Sequence, residues 1–264
     1  MNEDLRNVVL GVLATGVSAS LGWLTRTYLW RRGFRRKQAF FGLPGGSDCL
    51  LVVNRKAGSE GAVHPVDVSA LLELSALIKD CGALPRIAQH DAIRQGLGDR
   101  TEFCVGGPTS NRRMVAHLSS LLPGLTINVD PEPVADRTMV TVGGETYRAD
   151  WGVTEYVVLA RLTGGEGDRP VFLFCGQSAI SNQAATRYLA RHHERLARKY
   201  GLGPFVLLLK VVNSDAYGPD VVELVADVTR AARTAPPEPA EPAEPAEPAE
   251  RTETPATAPE PAGS

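Results

Sequence analysis

The sequence predicts an α/β fold, a Rossmann-like three-layer sandwich with a mostly parallel sheet and a small antiparallel insertion, preceded by one transmembrane helix. Three observations predict it. Val8–Leu24 is an apolar run without a charged residue. Residues 48–233 alternate continuous apolar strand patterns, such as Cys49–Val53, with helical patterns, such as Pro65–Lys79. In the middle of this segment, short strand-like runs separated by proline and glycine turns indicate antiparallel pairing.

The apolar run is followed at once by basic residues, namely Arg26, Arg31, Arg32, Arg35, Arg36 and Lys37. If the run extends to Trp30, it reaches the length of about 20 residues that crosses a bilayer. The positive-inside rule then puts the short N-terminus outside and the main domain in the cytoplasm, as in a single-pass protein of the cell membrane. The alternatives are a cleaved signal peptide of a secreted protein, whose basic region would precede the apolar run, and an interfacial or buried helix.

The same helix defines the expected partners. The bilayer is the first, and Arg31–Lys37 can attract anionic lipids at roughly 1 kcal/mol per residue. Small residues would let two such helices approach closely as a homo-oligomer, and these are Gly11, Gly16, Ser18, Ser20 and Gly22. The net charge of −2 gives no sign of a nucleic-acid partner, and none is expected.

Composition divides the chain into four parts. Residues 1–37 form the anchor with its basic cytoplasmic flank, 38–47 a linker, 48–233 one α/β domain, and 234–264 a disordered tail rich in proline, glutamate and alanine. The tail repeats Glu-Pro-Ala and holds no apolar residue larger than alanine, so it cannot bury enough surface to fold. It is either a solvated acidic spacer or a docking segment for a partner.

The cysteines indicate a reducing compartment. No two of them form a CxxC pair, and no cysteine and histidine stand at the spacing of zinc ligands. We therefore expect buried reduced thiols and no metal site. The four residues are Cys49, Cys81, Cys104 and Cys175.

Element boundaries follow from the glycine, proline and capping residues that interrupt each apolar pattern. Gly82 ends the first helix of the domain, Pro123 the second and Gly201 the third. The patterns predict strands at Cys49–Val53, Leu84–Gln89, Phe103–Val105, Thr126–Val129, Thr138–Val142, Thr146–Arg148, Tyr156–Leu162, Val171–Cys175 and Phe205–Val212, and helices at Pro65–Lys79, 110–122, Ser181–Tyr200 and Asp220–Arg233.

Three strand-to-helix junctions have the composition of a binding site. Open parallel sheets bind ligands outside the carboxyl ends of their strands, over helix N-termini. The junctions are 54–61, Gly106–Asn111 and Gly176–Asn182. The candidate ligand-binding residues are Asn54, Arg55, Lys56, Gly106, Gly107, Ser110, Asn111, Gly176, Ser178, Ser181 and Asn182. Arg55 and Lys56 would hold an anion, or they are solvated loop cations.

The second and third junctions are alike. Each follows a strand that contains cysteine, passes through glycine and small hydroxyl residues to Ser-Asn, and opens a helix. Glycine lets a backbone approach a phosphate closely, and helix N-termini favour anions. The competing explanation is that serine and asparagine cap the helices and glycine turns the strands.

These two loops resemble the glycine-rich phosphate loops of Rossmannoid nucleotide-binding proteins of the LOG and DprA kind. The resemblance covers Gly106–Asn111 and Gly176–Asn182 only, and the PGGxGTxxE motif of the family is not present. It therefore implies a nucleotide- or nucleoside-shaped pocket and does not imply phosphoribohydrolase chemistry.

Catalytic candidates are few. His90 and Asp91 follow the second strand and could serve as acid and base, or Asp91 caps a turn beside an exposed His90. The carboxylates Asp150 and Glu155 precede a later strand and have no assignable partner. No GxSxG, HExxH or paired-carboxylate spacing occurs. A nucleoside-directed hydrolase would need Glu60, Asp91 or Asp150 in the cleft.

The sequence therefore favours a membrane-anchored cytoplasmic domain that binds a nucleotide-like or other anionic small molecule as a sensor or effector. One alternative is a non-enzymatic interaction module with an anchor and an acidic, proline-rich tail. The other is a nucleoside-directed hydrolase. No cofactor and no reaction can be read from the residues. The two glycine turns, at Gly107 and Gly176, should discriminate between these functions. Convergence on one open cleft favours ligand binding, whereas turns at opposite edges, or grooves filled by side chains, favour the interaction module.

Overall fold

The computed structural model describes residues 2–54, 63, 65–93, 96–130, 132–165 and 167–235. Its helices are α1 (Asn2–Phe41), α2 (Pro65–Asp80), α3 (Arg112–Leu121), α4 (Ala179–Tyr200), α5 (Ser214–Tyr217) and α6 (Thr229–Arg233). Its strands are β1 (Asp48–Val53), β2 (Leu84–Gln89), β3 (Glu102–Val105), β4 (Leu125–Ile127), β5 (Val140–Val142), β6 (Glu145–Tyr147), β7 (Thr154–Leu162), β8 (Val171–Gly176), β9 (Phe205–Val212) and β10 (Val222–Asp227).

The central sheet is mixed and mostly parallel, as predicted. Its strand order is β10-β9-β7-β8-β3-β1-β2. Strands β2, β1, β3 and β8 pair in parallel in that order. The other three pairs are antiparallel: β7 with β8, β9 with β7, and β10 with β9. Five of the seven strands therefore run in one direction. The predicted insertion is a separate three-stranded antiparallel sheet in the order β4-β5-β6.

Both faces of the central sheet are covered, which explains why its strands read as continuous apolar runs. Leu51 of β1 packs in a cluster with Leu74 of α2 and Leu189 of α4. The next residue, Val52, packs on the other face with Met114 of α3 and Val140 of β5. The central sheet thus lies between α2 and α4 on one side and α3 with the small sheet on the other.

Helix α1 contains one candidate membrane span by length and composition, Leu5–Phe41, whose most apolar part is not buried against the rest of the molecule. The structure differs here from the predicted linker at 38–47. The helix continues to Phe41, and the side chains of Phe40, Phe41 and Leu43 are buried in the core. The glycines and proline after them resemble a linker in composition, but the aromatic pair makes this segment part of the domain.

Arg161 of β7 ties the end of α1 to the domain. Its side chain is only 3% exposed, and Nε donates to the carbonyl of Phe40 at 3.0 Å. Nη1 donates to the carbonyls of Leu202 and Gly203, the latter at 3.1 Å. Burial lowers the pKa of Arg161 to about 10, which leaves the guanidinium charged at neutral pH. One side chain thereby holds the end of α1 and the turn that precedes β9.

The predicted helix at Asp220–Arg233 is wrong. Residues Val222–Asp227 form β10, which pairs antiparallel with β9, and only Thr229–Arg233 is helical. The valine-rich sequence fits the periodicity of a helix as well as that of a strand. It forms a strand because the open edge of β9 offers it backbone hydrogen bonds. The rest of the tail, 236–264, lies outside the described residues.

We expect Arg161→Met to lower the free energy of unfolding by about 3 kcal/mol, because one buried and two partly buried carbonyls lose a charged donor. Urea unfolding of the full chain in detergent, followed by circular dichroism, measures this loss. The matched control is Arg169→Met, which removes a half-buried donor to the Gly42 carbonyl at 2.9 Å. It should cost about 1 kcal/mol. Equal losses in the two variants would contradict the central role of Arg161.

Candidate functional site

The described residues of the three predicted junctions lie at one edge of the sheet. β1, β3 and β8 are adjacent and parallel, so Asn54, Gly106 and Gly176 stand at neighbouring carboxyl ends. We call this the carboxyl edge. Of the first junction, the structure describes Asn54 only. Arg55 and Lys56, together with Glu60, lie outside the described residues.

The two glycine turns converge. A Cβ atom added to Gly107 would lie 3.6 Å from the carbonyl oxygen of Gly176, which is ordinary van der Waals contact. Gly107 is half-buried and its backbone is not in the left-handed region. The turn after β3 and the turn after β8 therefore lie side by side at the carboxyl edge.

Gly106 and Gly176 are needed for packing within the edge itself. Gly106 has φ +111°, and an added Cβ atom would fall 2.2 Å from the side-chain amide of Asn54. At Gly176 an added Cβ atom would fall 2.3 Å from Oγ of Ser181. The Gly176 amide donates to Oδ1 of Asn182 at 2.7 Å. These glycines let polar side chains lie directly against the strand ends.

Three polar residues of the two junctions, Asn111, Ser178 and Ser181, act in helix capping in this structure. Asn111 is buried, and its Oδ1 accepts from the Met114 amide at 3.0 Å. Ser178 caps α4 and forms a reciprocal capping box with Ser181. Ser181 and Asn182 are buried as well. The capping explanation that the sequence left open thus accounts for these side chains, which position the loops from behind.

The surface of the edge is formed by other residues. Thr109 and Ser110 are exposed between the Gly107 turn and α3. Arg112, in the first turn of α3, is also exposed and makes no ion pair within the described part of the chain. A cation at a helix N-terminus is disfavoured by the helix dipole. Arg112 was not among the sequence candidates, although its position one residue after the Asn111 cap could have identified it.

A buried carboxylate stands at the same edge. Glu155 is 3% exposed at the start of β7, which runs antiparallel to β8. Its Oε1 accepts from Oγ of Ser214 at 2.7 Å, and its Oε2 accepts from Oγ of Ser178. No partner of Glu155 could be assigned from the sequence, because Ser178 and Ser214 come from distant segments. The carboxylate is thereby joined to the N-terminus of α4 through Ser178.

Gln177 joins the insertion to this edge. Its Oε1 accepts from the Tyr156 amide at 2.7 Å, and its Nε2 donates to the carbonyls of Thr138 and Tyr147, both at 3.1 Å. The small sheet is therefore fixed beside the end of β8. Sequence reasoning missed this residue because its partners are backbone groups remote in the chain.

The remaining candidates lie farther out. His90 and Asp91 follow β2 at the end of the sheet, with β1 between them and the Gly107 turn. His90 is half-buried and Asp91 is exposed. Asp150 is exposed and forms an isolated backbone bridge with Thr154 ahead of β7. The structure does not bring these three together.

A second polar cluster lies at the opposite end of β3. Glu102 is buried and accepts from Nη2 of Arg113 at 2.7 Å, while His117 Nε2 lies 2.7 Å from its Oε1. Hydrogen bonds from His117 and Arg113 outweigh burial and lower the pKa of Glu102 below its ordinary value of 4.5. The sequence did not indicate this cluster, because strand and helix meet only in the fold.

Glu102, Cys104 and His117 offer three ligand atoms within 4.8 Å of one another. Their chemistry fits a metal ion poorly. The guanidinium of Arg113 already binds both oxygens of Glu102, and a cation there opposes a second one. Burial also raises the pKa of the Cys104 thiol well above its ordinary value. The cluster is better described as a buried ion-pair network.

No family model, no curated protein and no solved structure matches this chain.

We expect Glu102→Gln to lower the free energy of unfolding by about 3 kcal/mol at pH 7, because Arg113 keeps a buried charge without its partner. The folded pKa of Glu102 lies below 4.5, so its contribution is present above pH 4.5 and is lost as the pH falls through the folded pKa. Urea unfolding of both chains between pH 3 and 7 measures the difference, which should shrink in acid.

The control for this experiment is Glu223→Gln on β10, where the side chain is exposed. Its unfolding curve should overlie that of the parent chain throughout the pH range. A Glu102→Gln penalty that does not change with pH would contradict the role assigned to the carboxylate charge.

Proposed function

We propose that this chain is a single-pass membrane protein whose Rossmann-like α/β domain binds an anionic small molecule of the nucleotide class at the carboxyl edge, and that it acts as a sensor or effector. The single observation that carries the proposal is the close approach of the Gly107 and Gly176 turns at the ends of two adjacent parallel strands. The amides of Gly106 and Gly176 already donate within the protein, so we assign the approach of a phosphate to the half-buried Gly107 turn, where glycine presents no side chain of its own.

The surrounding chemistry favours an anion. Helices α3 and α4 both begin at this edge, so the positive ends of two helix dipoles point to the same region. Arg112 adds a charge that no described carboxylate neutralises. The caps Asn111 and Ser178 hold the loops in place before a ligand arrives, so that binding orders little additional backbone.

The membrane part of the proposal rests on α1. The helix carries a candidate span with 23 residues between Val8 and Trp30 that are interrupted only by Arg26, followed by Arg31–Lys37. The positive-inside rule supports an external N-terminus and a cytoplasmic domain.

We expect a nucleotide or dinucleotide to raise the melting temperature of the full chain in detergent by roughly 5 °C at 100 times its dissociation constant. The test variant is Gly107→Val, whose side chain would project toward the Gly176 carbonyl and occupy the space between the turns. Its φ permits valine, so the fold should persist while the ligand-induced shift disappears.

The matched control is Gly96→Val, in the loop before β3, where an added Cβ atom meets only the flexible carboxylate of Asp99 at 3.5 Å. It should keep the full shift. Ser181→Ala is less informative, because it breaks the capping box of α4. If no nucleotide, dinucleotide or sugar phosphate shifts the parent chain, the interaction-module alternative takes the place of ligand binding.

A second candidate function is hydrolysis of a nucleoside, and the observation that favours it is Glu155. A carboxylate at the ligand edge could take a proton from water while the water oxygen bonds to the sugar carbon. The bond from that carbon to the base nitrogen breaks, and the base leaves with the electron pair and takes up a proton from solvent. Chromatography of a nucleoside panel incubated with the chain tests this reaction. Activity that falls about 100-fold in Glu155→Gln and persists in Asp150→Asn would establish it. An inactive parent chain would exclude this function.

A further inference from the structure

A groove opens beside the domain end of α1, on the side of the molecule away from the carboxyl edge. Its volume is about 1030 Å³, and it lies between the second half of α1 and the last turns of α4. The residues that matter for its chemistry are Trp30, Phe34, Arg36, Arg198 and Leu202.

The position of the groove is fixed by Arg161. This side chain joins Phe40 at the end of α1 to the Leu202–Gly203 turn, which precedes β9. The turn lies at the amino ends of the parallel strands, whereas the glycine turns lie at their carboxyl ends. The groove and the candidate ligand site are therefore on opposite edges of one sheet.

The groove adjoins the candidate membrane span. An α-helix rises 1.5 Å per residue, so Trp30 and Phe40 are only about 15 Å apart along α1. A bilayer has a headgroup layer of about 5–7 Å on each side of its hydrocarbon core. If the span ends near Trp30, the groove lies at the level of the headgroups and just beyond them.

The charge of this region is positive. Lys37 is neutralised by Asp80 at 3.5 Å, and Arg198 pairs loosely with Glu194 at 3.8 Å, where both side chains are about three-quarters exposed. The excess comes from exposed arginines of α1 that make no ion pair within the part of the chain that the structure describes. They are Arg31, Arg32, Arg35 and Arg36.

Two large apolar side chains accompany these charges. Trp30 is 67% exposed, and Leu202 is 60% exposed at the tip of the Gly201–Gly203 turn. Tryptophan prefers the boundary between hydrocarbon and headgroups. A leucine held outward between two glycines has no packing role in the domain, but it can enter the same boundary.

Resting on the membrane anchor of the proposed function, we propose that this groove binds an anionic phospholipid of the bilayer surface. The lipid phosphate lies against Arg36 and Arg198, and Leu202 and Trp30 contact its glycerol and upper acyl region. The amino edge of the sheet then faces the bilayer, and the glycine turns face away from it, open to soluble ligands. Charge complementarity and continuity with the span select a lipid surface as the occupant.

The experiment uses the full chain in nanodiscs made of phosphatidylcholine alone or with phosphatidylglycerol. The variant Leu202→Cys carries an environment-sensitive fluorophore. The label is selective, because the four native cysteines are at most 1% exposed. Tyr217→Cys is the matched control, since Tyr217 is 58% exposed on α5, which follows β9 at the carboxyl edge.

In discs with phosphatidylglycerol, we expect the Leu202 probe to shift to shorter wavelength and to be quenched by spin-labelled headgroups about fivefold more than the Tyr217 probe. In discs of phosphatidylcholine alone, the two probes should be quenched about equally. The double variant Arg36→Gln and Arg198→Gln should lose the excess in the discs that contain phosphatidylglycerol. A charge-matched pair, Arg112→Gln and Arg137→Gln, should retain it, because both arginines are exposed away from the groove.

Equal quenching of the Leu202 probe in the two kinds of disc, or an unchanged signal in the Arg36 and Arg198 variant, would overturn recognition of the lipid phosphate. An aqueous Leu202 probe in a chain that elutes with the discs would overturn docking of the groove and leave the anchor intact. A chain that elutes apart from the discs would overturn the anchor and this proposal together, whereas the melting-temperature test at the carboxyl edge would still decide ligand binding.

Discussion

The structure depends on the buried guanidinium of Arg161. A charge removed from water must be compensated, and here the compensation comes from backbone carbonyls at the end of α1 and in the turn before β9. The rings of Phe40 and Phe205 stack at 6.3 Å in the same region. Because the cation and the carbonyls each require the other, α1, β7 and β9 fix one another at the amino edge. The positions of the opposite strand ends follow from that arrangement.

Much of the fold could be predicted from local patterns. The observed bounds of β2 and β9 coincide with the predicted ones, and α4 begins two residues before its predicted start, because glycine, proline and capping residues separate the apolar runs. The failures have a common cause. β10 is a strand because β9 offers it an edge, and Phe40 is a core residue because Arg161 and Phe205 are there to receive it. Neither partner is adjacent in the sequence.

The candidate site shows the same division between local and remote information. The glycine turns could be located from composition, because the need for glycine at a strand end arises from the backbone conformation at that residue itself. The roles of individual side chains were not predictable in this way. Glu155 is held by serines 23 and 59 residues away in the chain. Conversely, Asn111 and Ser181 resemble ligand-binding residues in composition, yet their hydrogen bonds are directed to their own backbone.

The uninterrupted helix from Asn2 to Phe41 has a mechanical consequence. A flexible linker would let the domain move independently of the N-terminal segment. Because α1 instead continues into the core, any tilt of the N-terminal segment, or rotation of it about the helix axis, is passed to the domain. Each residue added to or removed from α1 would turn the domain by about 100° about the helix axis and move it by 1.5 Å along that axis. The angular setting of the sheet relative to the N-terminal segment is therefore determined by the number of residues between them.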